Sequence, residues 1–61
     1  MAEITEKELS AISDLLSAEQ NLVAKYRAYA SMTDDTVLRN QYEQIAVRHQ
    51  RHFDQLYSNL K

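Results

Sequence analysis

Glu19, His49 and His52 stand where apolar side chains should be. In the first half of the chain Leu9, Ile12, Leu16, Glu19, Val23, Tyr26 and Ala30 recur at alternating steps of three and four. In the second half Leu38, Tyr42, Ile45, His49, His52 and Leu56 do the same. That rhythm lays a single stripe along an α-helix. A carboxylate or an imidazole on a core-facing stripe is costly unless a partner satisfies it. One carboxylate and two imidazoles on facing stripes have two chemical uses. They can pair with one another as an internal polar contact, which sets register and partner choice more reliably than it adds stability. They can also hold a metal: imidazole suits Zn, Fe, Cu and Ni, and carboxylate suits harder ions such as Mn.

Either use requires the three to meet, and the chain has one place to fold back. Ser31-Met32-Thr33-Asp34-Asp35-Thr36 is the one segment with turn chemistry. Counted from residue 33, Glu19 lies 14 positions back, His49 lies 16 forward and His52 lies 19 forward. At 1.5 Å per residue, Glu19 and His49 are offset by about 3 Å along the axis and His52 lies one turn beyond. His49 and His52, three apart, project from one helix face. Tyr26 and Tyr42 lie seven residues from Glu19 and His49 on the same stripes, where their hydroxyls could donate to the cluster.

The elements that position the cluster follow from local signals. Thr5 and Glu8 have capping-box spacing, with Ile4 and Leu9 placed as a hydrophobic staple. The first helix is expected from about 6 to 31. The turn is expected at 32–34, with Thr33 or Asp34 as the N-cap of a second helix from about 35 to 59, and Asp35 near the positive end of its dipole. Each helix carries a side stripe as well: Leu15, Leu22 and Tyr29 on the first, Ala46, Phe53 and Leu60 on the second. Val47 is the apolar residue left on the outside of the second helix. Two helices joined by so short a connection run antiparallel. The reading is therefore all-α: residues 1–61 form a single helical-hairpin domain. Its apolar arc is broader than one neighbouring helix covers, so it dimerises into a four-helix bundle.

Composition agrees. The 61 residues are 44% hydrophobic with no Gly, Pro or Cys. Continuous helix suits such a chain, and disulfides and thiolate metal sites are excluded. A chain this short buries only about 60% of its unfolded surface, so a partner copy or a metal is expected to complete it. The formal net charge of −2 offers no electrostatic case for nucleic acid or an anionic membrane. No apolar run approaches the roughly 20 residues of a membrane span. The acidic Met1–Glu8 segment is unlike a secretion signal, which implies cytoplasmic synthesis. Arg48 and Arg51 flank the histidines and read as a solvated face. Ser10, Ser13, Ser17 and Ser58 sit on exposed positions far from the histidines, so no nucleophile is assembled and no enzyme is expected.

Two resemblances add to this reading. Glu19 followed by Tyr26, in Glu19-Gln20-Asn21-Leu22-Val23-Ala24-Lys25-Tyr26, resembles the first helix of ferritin-like proteins, and His52 resembles the His of their Glu-x-x-His motif. In that superfamily these residues hold a di-iron or di-manganese centre in a four-helix bundle. The Glu of the motif falls at position 49, where this chain has His49, so a bridging carboxylate is lost and ferroxidase chemistry is not implied. A likeness over nearly the whole chain is carried by Glu6-Lys7-Glu8-Leu9, Leu16-Ser17-Ala18-Glu19-Gln20, Tyr29-Ala30, Val37-Leu38-Arg39, His49-Gln50-Arg51-His52 and Leu56. Together these resemble small spore coat proteins related to coat protein F, from endospore-forming bacteria. That likeness implies a ferritin-like bundle, a location in the spore coat, other coat proteins as partners and a structural role. Where those proteins often have Pro after the Asp of the turn, this chain has Asp35. The functional expectation is a small self-associating structural protein with a buried Glu19/His49/His52 cluster. The alternative is a homodimer binding Fe, Zn or Mn through those three residues, without ferroxidase activity.

Overall fold

A computed structural model describes residues 4–60. Helix α1 spans Glu6–Met32 and helix α2 spans Thr36–Ser58, packed side by side as an antiparallel hairpin. The helix at the N-terminal end starts where its cap demands. Thr5 has an extended backbone and its Oγ1 accepts the Glu8 N–H at 3.1 Å. The return half of the capping box differs from the usual form: the Thr5 hydroxyl donates to Glu8 Oε1 at 2.9 Å.

The N-cap of α2 is Asp35, not the expected Thr33 or Asp34, which lie two and one residues before it. Its carboxylate accepts two N–H groups, from Val37 at 2.9 Å and Leu38 at 3.1 Å. Thr33 is occupied instead as the C-cap of α1, its hydroxyl accepting the Asp35 N–H at 3.2 Å. The connection is thus shut by two short polar side chains, with Asp35 supplying the cap of α2.

Arg39 completes the turn. The last turn of α1 contains no basic residue, so its terminal carbonyls lack a cation on their own helix. Arg39 reaches across from α2, donating from Nε to the Ala30 carbonyl at 3.3 Å and from Nη2 to the Thr33 carbonyl at 2.8 Å. Replacing Arg39 with Ala should cost about 1–2 kcal/mol, since it strips a charge-assisted pair from partly buried carbonyls. The expected readout is a melting temperature lower by about 5–15 °C for a domain of this size. An unchanged melting temperature would show the contact to be incidental.

Among the described residues the buried core is Val23, Ala30 and Ala46, and Ala46 is 2% exposed. These small side chains let the backbones approach closely. They also move the seam on α2. Ala46 and Phe53, expected on a side stripe, lie at or beside the seam, whereas Leu38 of the main stripe is exposed. The close approach at Ala46 turns α2 about its axis, so the seam falls between its two apolar stripes. On α1 the side-stripe residues Leu15 and Tyr29 remain exposed, Leu15 at 51%.

The result is long and thin, 47 × 16 × 11 Å, with a radius of gyration of 14.5 Å. A compact domain of 61 residues would have a radius near 10.5 Å. The smallest extent is about one helix diameter. No large side chain among the described residues is fully buried. The hairpin therefore has one layer, and an apolar face with nothing packed on it.

Candidate functional site

Glu19 is held in mid-α1, between Leu15 at i−4 and Leu22 at i+3 on the same helix face. His49 and His52 sit in α2 with Ile45 four residues before the first and Leu56 four residues after the second. The cluster thus lies on the side of the hairpin whose apolar residues have no cover.

The antiparallel register brings the three together as the count from the turn predicts. The Nδ1–H of His49 donates to Glu19 Oε2 at 2.8 Å. Nδ1 of His52 lies 3.6 Å from Glu19 Oε1, beyond ordinary hydrogen-bond length. One carboxylate therefore presents each of its oxygens to a different imidazole. One donor atom from each of the three residues can be chosen so that all lie within 4.8 Å of one another.

The expected burial is not met in the single hairpin: Glu19 and His49 are half-buried and His52 is exposed. The Glu19 side chain is 16% exposed and His49 22%, but His52 is 47% exposed. Two helices flank the cluster and neither roofs it, so solvent reaches it from the apolar face. The Glu19–His49 contact is shielded from bulk water to a degree that a surface pair is not, and the His52 contact is close to a surface pair in character.

Tyr26 meets the cluster through its ring. The Tyr26 and His49 rings are 6.3 Å apart between centroids and 16° from parallel. Tyr26 also contacts Tyr42 at 6.1 Å and Tyr29 at 5.7 Å, and Tyr29 contacts Tyr42 at 5.5 Å. His49 meets His52 edge to face at 5.5 Å. A continuous row of aromatic rings thus runs from near the turn to His52, and it fixes the plane of the His49 imidazole by packing. The hydroxyls of Tyr26 and Tyr42 make no hydrogen bond to Glu19 or either histidine, contrary to the role expected for them. Tyr26 meets His49 by stacking its ring, and Tyr42 meets Tyr26 at a tilt of 37°.

Lys25 is exposed, and its Nζ lies 5.8 Å from the Tyr26 centroid and 5.7 Å from that of Tyr29. The i, i+4 spacing of Lys25 and Tyr29 was the available signal. Arg48 and Arg51 are exposed as expected, as is Val47. An open groove lined by Arg27, Ala30, Arg39, Glu43, Ala46 and Val47 lies nearer the turn, away from the cluster, and gathers no comparable donor set.

The donor set does not fit a dinuclear carboxylate centre. Such centres in helical bundles draw on several Glu side chains, some of which bridge the metals. Here the cluster has one carboxylate and two imidazoles.

No protein-family model, curated protein or solved structure matches this chain. Among the described residues, no helix is long and apolar enough to cross a membrane.

Proposed function

We propose that this chain is a small structural protein that self-associates, two hairpins closing into a ferritin-like four-helix bundle. One observation carries the reading: a one-layer hairpin with Leu15, Tyr29 and Leu38 exposed on its faces. Apolar surface left open along the length of two helices is the mark of an interaction site. A second copy is the occupant that suits it, because a two-fold axis would set the same patch of each copy against the other and cover both at once. Within that bundle the Glu19–His49 contact acts as an internal polar lock that selects register. The resemblance of the residue order to small spore coat proteins supports a reading of this role in the spore coat, with cytoplasmic synthesis, other coat proteins as partners and no catalytic activity. The small net charge gives nucleic acid and membrane surfaces no hold.

The solution mass of untagged protein is the test. The expected result is a dimer, twice the 7.1 kDa chain mass. A well-folded single chain at micromolar concentration would end this reading. For the coat assignment, the protein expressed in an endospore-forming host is expected to fractionate with the coat layers, and its recovery only from the mother-cell cytoplasm would count against it.

The grouping of three donor atoms within 4.8 Å supports a second reading, a homodimer that binds Fe, Zn or Mn through Glu19, His49 and His52 without ferroxidase activity.

A further inference from the structure

We propose that Glu19, His49 and His52 of one hairpin form a complete three-ligand site for a single divalent transition-metal ion, one ion per chain. The inference rests on the metal-binding reading of the cluster and makes it specific: a mononuclear site inside each chain, not a centre shared between chains.

Distance supports it first. Zn²⁺ and similar ions hold His nitrogen and carboxylate oxygen at about 2.0–2.2 Å. Two ligands on such an ion are then separated by roughly 3.0 Å at a right angle and about 3.4 Å at the tetrahedral angle. His49 Nδ1 stands 2.8 Å from one Glu19 oxygen and His52 Nδ1 stands 3.6 Å from the other. One donor atom from each residue lies within 4.8 Å of the other two, so a small rotation of the exposed His52 brings the set to bonding distance of one ion. The contact of His52 is too long to be a hydrogen bond, yet its Nδ1 is turned to the same carboxylate. Both imidazoles thus face the one carboxylate, the arrangement that a shared ion requires. His52 is the most exposed of the three and has room to rotate into the final position.

Ligand chemistry narrows the ion. Two imidazole nitrogens and one carboxylate oxygen are too rich in nitrogen for Ca²⁺ or Mg²⁺, which take oxygen shells. With no cysteine in the chain, thiolate-seeking ions are not favoured. Zn²⁺ and Fe²⁺ are the natural occupants, and Co²⁺ is a spectroscopic substitute. A lone carboxylate that meets both imidazoles has no oxygen to spare for a second metal, which makes the site mononuclear.

Binding requires a small rotation of His52 and a rearrangement of hydrogens. The ion replaces the hydrogen between His49 Nδ1 and Glu19 Oε2, and each neutral imidazole then carries its N–H on Nε2. The stacked Tyr26 ring holds the His49 plane throughout. Three protein ligands leave at least one coordination position open, which water fills.

The test uses the full untagged chain, stripped with chelator and titrated calorimetrically with Zn²⁺, with Co²⁺ followed by visible absorption. One ion per chain is expected, and Co²⁺ should show the intense bands of a low-coordinate nitrogen–oxygen site. His52→Gln keeps the Glu19–His49 contact and hence the fold, and should weaken Zn²⁺ binding at least ~100-fold, beyond what loss of a supporting contact alone costs. Circular dichroism of that variant should match the parent. Absence of binding at micromolar Zn²⁺, or affinity unchanged in His52→Gln, overturns the proposal. One ion per two chains overturns it as well, because the metal would then lie between hairpins. Mass measured on the same samples keeps the two readings apart: a monomer that binds one ion sinks self-association alone, and a dimer that binds none sinks the metal site alone.

Discussion

Replacing Leu15 with Glu should dissociate the protein and melt much of its helix. Leu15 is half-exposed in the hairpin, so in an isolated chain the change would be a surface substitution worth no more than about 0.5 kcal/mol. In a bundle the same position is covered, and a carboxylate there would be desolvated without a partner. The dissociation constant should rise at least ~100-fold, equivalent to about 3 kcal/mol. Helicity should fall with it, because a two-helix layer with three buried residues has little to hold it alone. Sedimentation and circular dichroism on one dilution series read both effects. Ser17→Glu, on the opposite exposed face of α1, is the matched control and should leave the mass unchanged. A dimer of undiminished affinity in Leu15→Glu would mean that the apolar side of the hairpin is not the interface.

The second large effect belongs to the polar pair. His49→Leu removes the 2.8 Å partner of Glu19 and leaves a carboxylate among Leu15, Leu22 and Leu16, with only the long His52 contact for company. Breaking a fully buried pair costs about 3–5 kcal/mol, and this one is partly exposed, so about 2–3 kcal/mol is expected. For a domain of this size that is a fall in melting temperature of roughly 10–20 °C. Adding Glu19→Leu to the same chain should restore most of the loss, since two apolar residues then pack where an unpaired charge stood. If the pair also selects register, the double variant should be stable yet form mixed oligomers. A double variant as unstable as the single would show that the histidine contributes packing and the pairing little.

These two experiments bear on one economy in the molecule. Exposed Leu15 is four residues before Glu19, one turn along the same face of α1. Under the proposed association, covering Leu15 would also roof the cluster, lower the local dielectric and strengthen the Glu19–His49 contact.

Much of this was written in the residue order. The steps of three and four, the absence of Gly and Pro and the Thr5/Glu8 box specify two helices and their ends to within a residue or so, because those are properties of contiguous segments. The meeting of Glu19 with His49 followed from counting outward from the turn, since an antiparallel pair with a short connection has one register. Rotation of each helix about its axis was not legible. Two apolar stripes on α2 were equal candidates for the seam, and the volume of Ala46 decided between them only when packed against Val23 and Ala30. The use of Asp35 as cap, the reach of Arg39 to the carbonyls of α1 and the stacking of Tyr26 on His49 are likewise products of two helices brought into contact. Periodicity names which residues share a face, and close packing in three dimensions selects the part of that face that touches.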